Sequence, residues 1–215
     1  MHFNLEEQEQ LAEFKAWWKR YGNWLLAIIL ILAVSYISYA GYSWWNKKSS
    51  LGASKVYELV LTGAQKQDIP LILKATADLQ DQFQSTSYAG MASLVAAQVT
   101  NASGDLANSE KNLRWAVDKA KVDAHQDIAR TRLVSLLIDQ DKFDEARKVA
   151  AASVSKPFEP LILERRGDVE FAQQKNADAR KFYQQAWDLL LKNSEASDES
   201  KRLLKIKLDA VGGRS

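Results

Sequence analysis

Between Arg20 and Lys47 the chain carries no charge, and the segment inside that gap, from Trp24 to Trp45, reads WLLAIILILAVSYISYAGYSWW. Wound as a helix, its 22 residues extend about 33 Å, close to the hydrocarbon thickness of a bilayer. Tyr21 and Trp24 stand at one end and Tyr42, Trp44 and Trp45 at the other, where indole and phenol rings favour the boundary between lipid and water. Lys19, Arg20, Lys47 and Lys48 flank both belts. The core helix of a soluble domain seldom combines this length with a complete lack of charge, so the segment reads as a membrane helix.

Ser38-Tyr39-Ala40 has the small-x-small form of a signal-cleavage site, with Leu25–Val34 as the apolar region before it. Apolar and aromatic character continues past that point to Trp45, and the preceding residues hold Glu6, Glu7, Glu9 and Glu13, which favours a retained anchor. Charge leaves the orientation open, because Lys15, Lys19 and Arg20 on one side balance Lys47, Lys48 and Lys55 on the other. Leu11, Phe14, Trp18 and Tyr21 fall on one helical stripe, as expected of a tail lying along the interface, with a docking site as the alternative. The expected organisation is a cytosolic tail or interfacial helix over residues 1–23, a span over 24–45, a juxtamembrane linker over 46–52 and a repeat domain over 53–215.

Past residue 50 there are 24 Lys and Arg against 23 Asp and Glu, interleaved rather than gathered on one face, so nucleic acid is not an expected partner. Cys is absent, which removes disulfides, thiolate chemistry and cysteine metal sites. Three prolines and nine glycines leave few turn signals for a sheet. From Leu51 apolar residues recur at helical spacing. They are interrupted at Asp68 (an N-cap with Pro70 in the first turn), Ser85-Thr86-Ser87, Ser103-Gly104-Asp105, Asp141-Lys142, Ser155-Lys156-Pro157, Lys175-Asn176 and Asn193-Ser194. About nine helices of ten to nineteen residues result, eight pairing as hairpins and the last, about 197–210, serving as a cap. The expected fold is all-α: one transmembrane helix, then an α-solenoid of about four hairpins with a C-terminal capping helix.

A period supports this. Ser109, Ala146 and Ala179 align, with Ala97, Val134 and Gly167 twelve residues before them. Leu113, Ala150 and Tyr183 follow four after, and Ala116, Ser153 and Ala186 seven after. Small residues return where the helices of a hairpin approach closely. The pattern resembles the tetratricopeptide repeat, most clearly over Leu163–Ala186 through Gly167, Ala179, Tyr183 and Ala186. It departs in lacking an early Trp and in placing Glu170 where an aromatic is usual.

No reactive constellation emerges. His2 and His125, the two histidines, read as surface or capping residues, and no glycine-rich phosphate loop, HExxH, GxSxG or EF-hand spacing occurs. Glu164 and Asp168 lie one turn apart, as ordinary helix-face acids do, and Trp115, Tyr183 and Trp187 fall at core spacing. No catalytic, metal or cofactor residue is assigned, and an enzyme is not expected. A repeat stack offers instead a concave face lined by first helices. In this register that face includes Gln98, Asn101, Thr131, Ser135, Glu164 and Asp168, polar and mostly small, suited to an extended peptide or partner helix.

The acidic-then-basic tail, the aromatic-bounded span ending in WWNKK (Glu6–Lys48) and the turn Gly104-Asp105-Leu106 ahead of degenerate hairpins together resemble the YfgM family, ancillary subunits of the bacterial SecYEG translocon. The resemblance implies a single-pass inner-membrane protein with a cytosolic N-terminus and periplasmic repeats. It also implies association with SecYEG and with the membrane-anchored chaperone PpiD, work on newly exported client proteins, and a link to envelope stress. It transfers no site residue. A periplasmic repeat adaptor for cell division or cell-wall assembly, released by cleavage after Ala40, is the rival reading.

Overall fold

The computed structural model describes residues 5–193 and 196–212, with side chains from Glu9 onward; His2 and Ser194 lie outside them. The described chain is helical throughout, without a strand among these residues. It divides into two units, residues 1–49 and 50–215, each treated on its own.

The first unit is the greater part of α1 (Leu5–Lys66), the helix long and apolar enough to cross a membrane. Its side chains from Trp24 to Tyr42 point outward, unburied by the protein, as a lipid-facing helix requires. The Arg20 guanidinium lies 5.8 Å from the Tyr21 ring and Lys48 Nζ lies 5.2 Å from the Trp44 ring, so a cation meets an aromatic at each end of the uncharged stretch. Phe14, Trp17, Trp18 and Tyr21 cluster, with neighbouring centroids 5.9–6.4 Å apart. Residues 46–52, read above as a linker, are helical, consistent with their lack of proline.

The second unit holds the end of α1 and then α2 (Ile69–Gln82), α3 (Ser87–Ala102), α4 (Leu106–Lys119) and α5 (Asp123–Asp139). After these come α6 (Phe143–Ala151), a 3₁₀ turn (Lys156–Phe158), α7 (Glu159–Ala172), α8 (Asn176–Lys192) and α9 (Asp198–Ala210). The capping reads as expected at Asp68, whose Oδ1 accepts from Leu71 N at 3.0 Å, with Pro70 in the first turn. Asp105 does the same for Asn108 N at 3.1 Å, and Ser197 for Ser200 N at 3.2 Å. The break between α4 and α5 at Ala120–Val122 carries neither Gly nor Pro and was not among the expected interruptions.

Each hairpin closes with one turn. Gln67, Gly104, Asp141 and Gln174 take positive φ of 56°, 82°, 58° and 61°. The amide after each bonds back five residues, Asp68 to Gly63, Asp105 to Thr100, Lys142 to Leu137 and Lys175 to Glu170, all at 2.9 Å. This is the left-handed C-terminal cap that satisfies the last helical carbonyls. The turns recur at 37, 37 and 33 residues, so the register extends to a first hairpin, α1–α2, that the small-residue alignment did not include. There Val60 and Ile72 take the small positions, and Gly63 gives the room instead: a methyl on it would lie 2.8 Å from Ile72 Cγ1.

The expected close approaches form in the second and fourth hairpins. Ser109 Oγ donates to the Ala97 carbonyl at 2.9 Å. A methyl on Gly167 would lie 2.3 Å from Tyr183 Cε1, so that ring needs a glycine beneath it. Three buried clusters follow the stack: Val60, Ile72, Leu79 and Ala92; then Leu113, Leu133, Val134, Leu137 and Ile162; then Tyr183, Ala186, Leu204 and Leu208. Each fully buried Leu or Ile contributes on the order of 1.5–3 kcal/mol. The second cluster takes in Ala146 and Ala150 of α6, a helix nine residues long and just short of the expected minimum; Arg166 Nε and Nη2 donate to the Ala150 and Ala151 carbonyls at 2.8 and 3.2 Å.

Candidate partner-binding groove

Helices α3 and α5, each first in its hairpin, stand side by side above α4, and a cavity of about 340 Å³ opens between them. Its floor is Ala97, Ser109 and Leu113; Gln98 and Asn101 rise from α3, and Arg132, Ser135 and Asp139 from α5. Among the described residues, the Gln98, Asn101 and Asp139 side chains make no hydrogen bond or ion pair. Arg132 has only a 3.5 Å contact to the Leu94 carbonyl. The Ser135 hydroxyl donates to Thr131 O at 3.3 Å, leaving its lone pairs open.

This arrangement suits the backbone of an extended chain. A carboxamide offers a donor and an acceptor together and so matches a peptide unit whatever its side chain. Arg132 and Asp139, seven residues apart on α5, set opposite charges about 10 Å apart along the groove, enough to orient a segment by its own charges.

Of the six residues expected on this face, Gln98, Asn101 and Ser135 line the cavity. Thr131 does not: it is buried, and its hydroxyl donates to Ile128 O at 2.9 Å. Glu164 and Asp168 lie on α7 under α9, whose Lys207 Nζ donates to Glu164 Oε1 at 2.6 Å and to Asp168 Oδ1 and Oδ2 at 2.7 and 2.9 Å. Arg165 also pairs with Asp168, and the Tyr183 hydroxyl donates to Asp168 Oδ1 at 2.8 Å. Burial first, and the adjacent Asp168 carboxylate second, push the Tyr183 phenol far above its ordinary range, so it stays a donor. These helix-face acids are thus held by the chain's own cations and phenol.

Arg132 and Asp139 were missed, although helical spacing reaches both, three before and four after Ser135. His125, read as a surface or capping residue, stands at the start of α5, half-buried, its Nδ1 without a partner among the described residues. Trp115 and Trp187 pack against the buried clusters, as their spacing suggested. Among the described residues no three His, Cys, Asp or Glu side chains gather as a metal site requires.

Residues 15–213 match the tetratricopeptide repeat-like domain family. A protein of Neisseria gonorrhoeae named "Ancillary SecYEG translocon subunit" is 31% identical over 212 residues, covering 98% of this chain and 100% of that one. Proteins of the same name from Aggregatibacter actinomycetemcomitans and Haemophilus influenzae are 26% and 23% identical, each covering 86% of this chain and 91% of its own.

Proposed function

The chain belongs to the YfgM family, the ancillary SecYEG translocon subunits, and from that membership we propose that it is a non-catalytic, membrane-anchored scaffold that works beside the translocon. The observation that carries the reading is the groove of about 340 Å³ whose amide side chains have no partner among the described residues. In this reading residues 1–23 lie in the cytosol, 24–45 cross the inner membrane and 53–215 stand in the periplasm. There the groove receives extended segments of SecYEG, of a PpiD-like chaperone or of an exported client. Anchoring holds the groove at high local concentration near its partners, so weak, sequence-tolerant contacts suffice.

Photocrosslinking residues at Gln98, Asn101 and Ser135 in living cells test this. Adducts with a translocon subunit or the chaperone are expected. Recovery of neither, with the protein folded and in the membrane, overturns it, and a mature N-terminus at Gly41 favours the released adaptor instead.

A further inference from the structure

The repeated turn gives a register for comparing the four first helices. Six residues before each left-handed residue stand Leu61, Gln98, Ser135 and Asp168; ten before stand Tyr57, Leu94, Thr131 and Glu164. Gln98 and Ser135 face the open groove. Asp168, at the same position of the fourth hairpin, faces a cation that the chain itself supplies. We propose that α9 is a strap closing the C-terminal end of the groove, with Lys207 as its latch, and that the fourth hairpin becomes available to a partner's basic side chain when the latch is released. This regulation rests on the reading of the first-helix face as the binding surface.

Three observations support it. Lys207 Nζ directs its short contacts, 2.6, 2.7 and 2.9 Å, at Glu164 and Asp168 rather than at an acid of its own helix, and the ammonium lies 5.8 Å from the Tyr183 ring centroid. The acidic pair keeps a second cation when Lys207 leaves, because Arg165 pairs with Asp168 and stands 3.6 Å from Glu164. Finally, α9 carries its own N-cap at Ser197 and rests on the stack through Leu204, Leu208 and Val211, with Lys207 as an added tie, so loss of that tie loosens the helix as a unit. A lysine from a bound segment offers the same donors to the same acceptors. The latch therefore selects for a basic end on whatever reaches the fourth hairpin.

The test uses the full chain in detergent and two unstructured fluorescent peptides of equal length, one bearing lysines at its end and the other glutamates. Lys207→Met is expected to tighten the lysine peptide by about tenfold and leave the glutamate peptide unchanged, as pairing of a partly desolvated charge predicts. Asp168→Asn in that background should return affinity to the wild-type level. In the wild type, the lysine peptide should speed amide exchange across residues 198–210, a readout independent of how the variants fold. Unchanged lysine-peptide binding in Lys207→Met, an equal gain for both peptides, or unaltered exchange in α9 overturns the latch. If Gln98→Ala with Asn101→Ala leaves binding untouched in every background, or if no variant binds either peptide, the groove reading itself falls.

Discussion

At the N-terminal end of the stack the hairpin layer is Val60, Ile72 and Leu79, all fully buried in one apolar cluster. At the C-terminal end the matching positions are Gly167, Ala179 and Ala186, packed around Tyr183 and roofed by Lys207, Arg165, Glu164 and Asp168. The backbone turn is the same, with the same bond five residues back. One hairpin fills its volume with several branched side chains; the other uses one large ring on a glycine, and that ring brings a hydroxyl needing an acceptor. A repeat fold can therefore hold its geometry while exchanging hydrophobic for charge-assisted cohesion, and of the two the second kind responds to salt.

The contrast predicts that Leu79→Ala destabilises the unit by about 3 kcal/mol, through lost transfer energy and a cavity, and that salt leaves this unaltered. Asp168→Asn should cost less, about 1–2 kcal/mol, because Tyr183 and Lys207 lose a charged acceptor while keeping a polar one. Denaturant melts at low and high salt decide the matter: a salt-sensitive Leu79→Ala, or a salt-blind Asp168→Asn, breaks the comparison.

A smaller effect lies between the two ends. Burial against Gly90 and Ala120 holds the His125 imidazole below its ordinary pKa. With the folded value depressed, the unfolded chain takes up the proton first, so this contribution is complete above the ordinary histidine value and fades as pH falls through the folded one. Melts from about pH 7 to 5 should show a decline that His125→Phe flattens; an unchanged slope removes His125 as its source.

The smallest effect concerns what the hairpins share. Gly104→Ala should cost about 1 kcal/mol, since its φ of 82° is left-handed. Gln174→Gly, at φ 61°, should be neutral or mildly stabilising. A loss in Gln174→Gly equal to that in Gly104→Ala would mean the turns are not equivalent.

These positions also explain how far the sequence could be read. The span, the hairpins and the cap at Asp68 were legible because each rests on local chemistry. The first hairpin escaped the alignment because its small residue moved from the crossing positions to Gly63, one turn away. On the groove face, Gln98, Asn101 and Ser135 came out of register alone. Thr131 lies on the same helical stripe as Ser135 but is buried, a difference that spacing alone does not carry. For Glu164 and Asp168 the sequence withheld the partner, since Lys207 lies 43 and 39 residues away, beyond the reach of any periodic argument.

The shortened third stride, 33 residues where the others are 37, lacks about one helical turn. The loss shows in α6, nine residues against the fourteen of α2 and of α4. With its last carbonyls finished by a borrowed guanidinium from α7, α6 cannot complete itself alone. The short helix is thus completed by its neighbour twice over, through Arg166 at its carbonyls and through the one buried cluster that Ala146 and Ala150 share with Ile162 and Val169, so the third and fourth hairpins are expected to open together rather than apart.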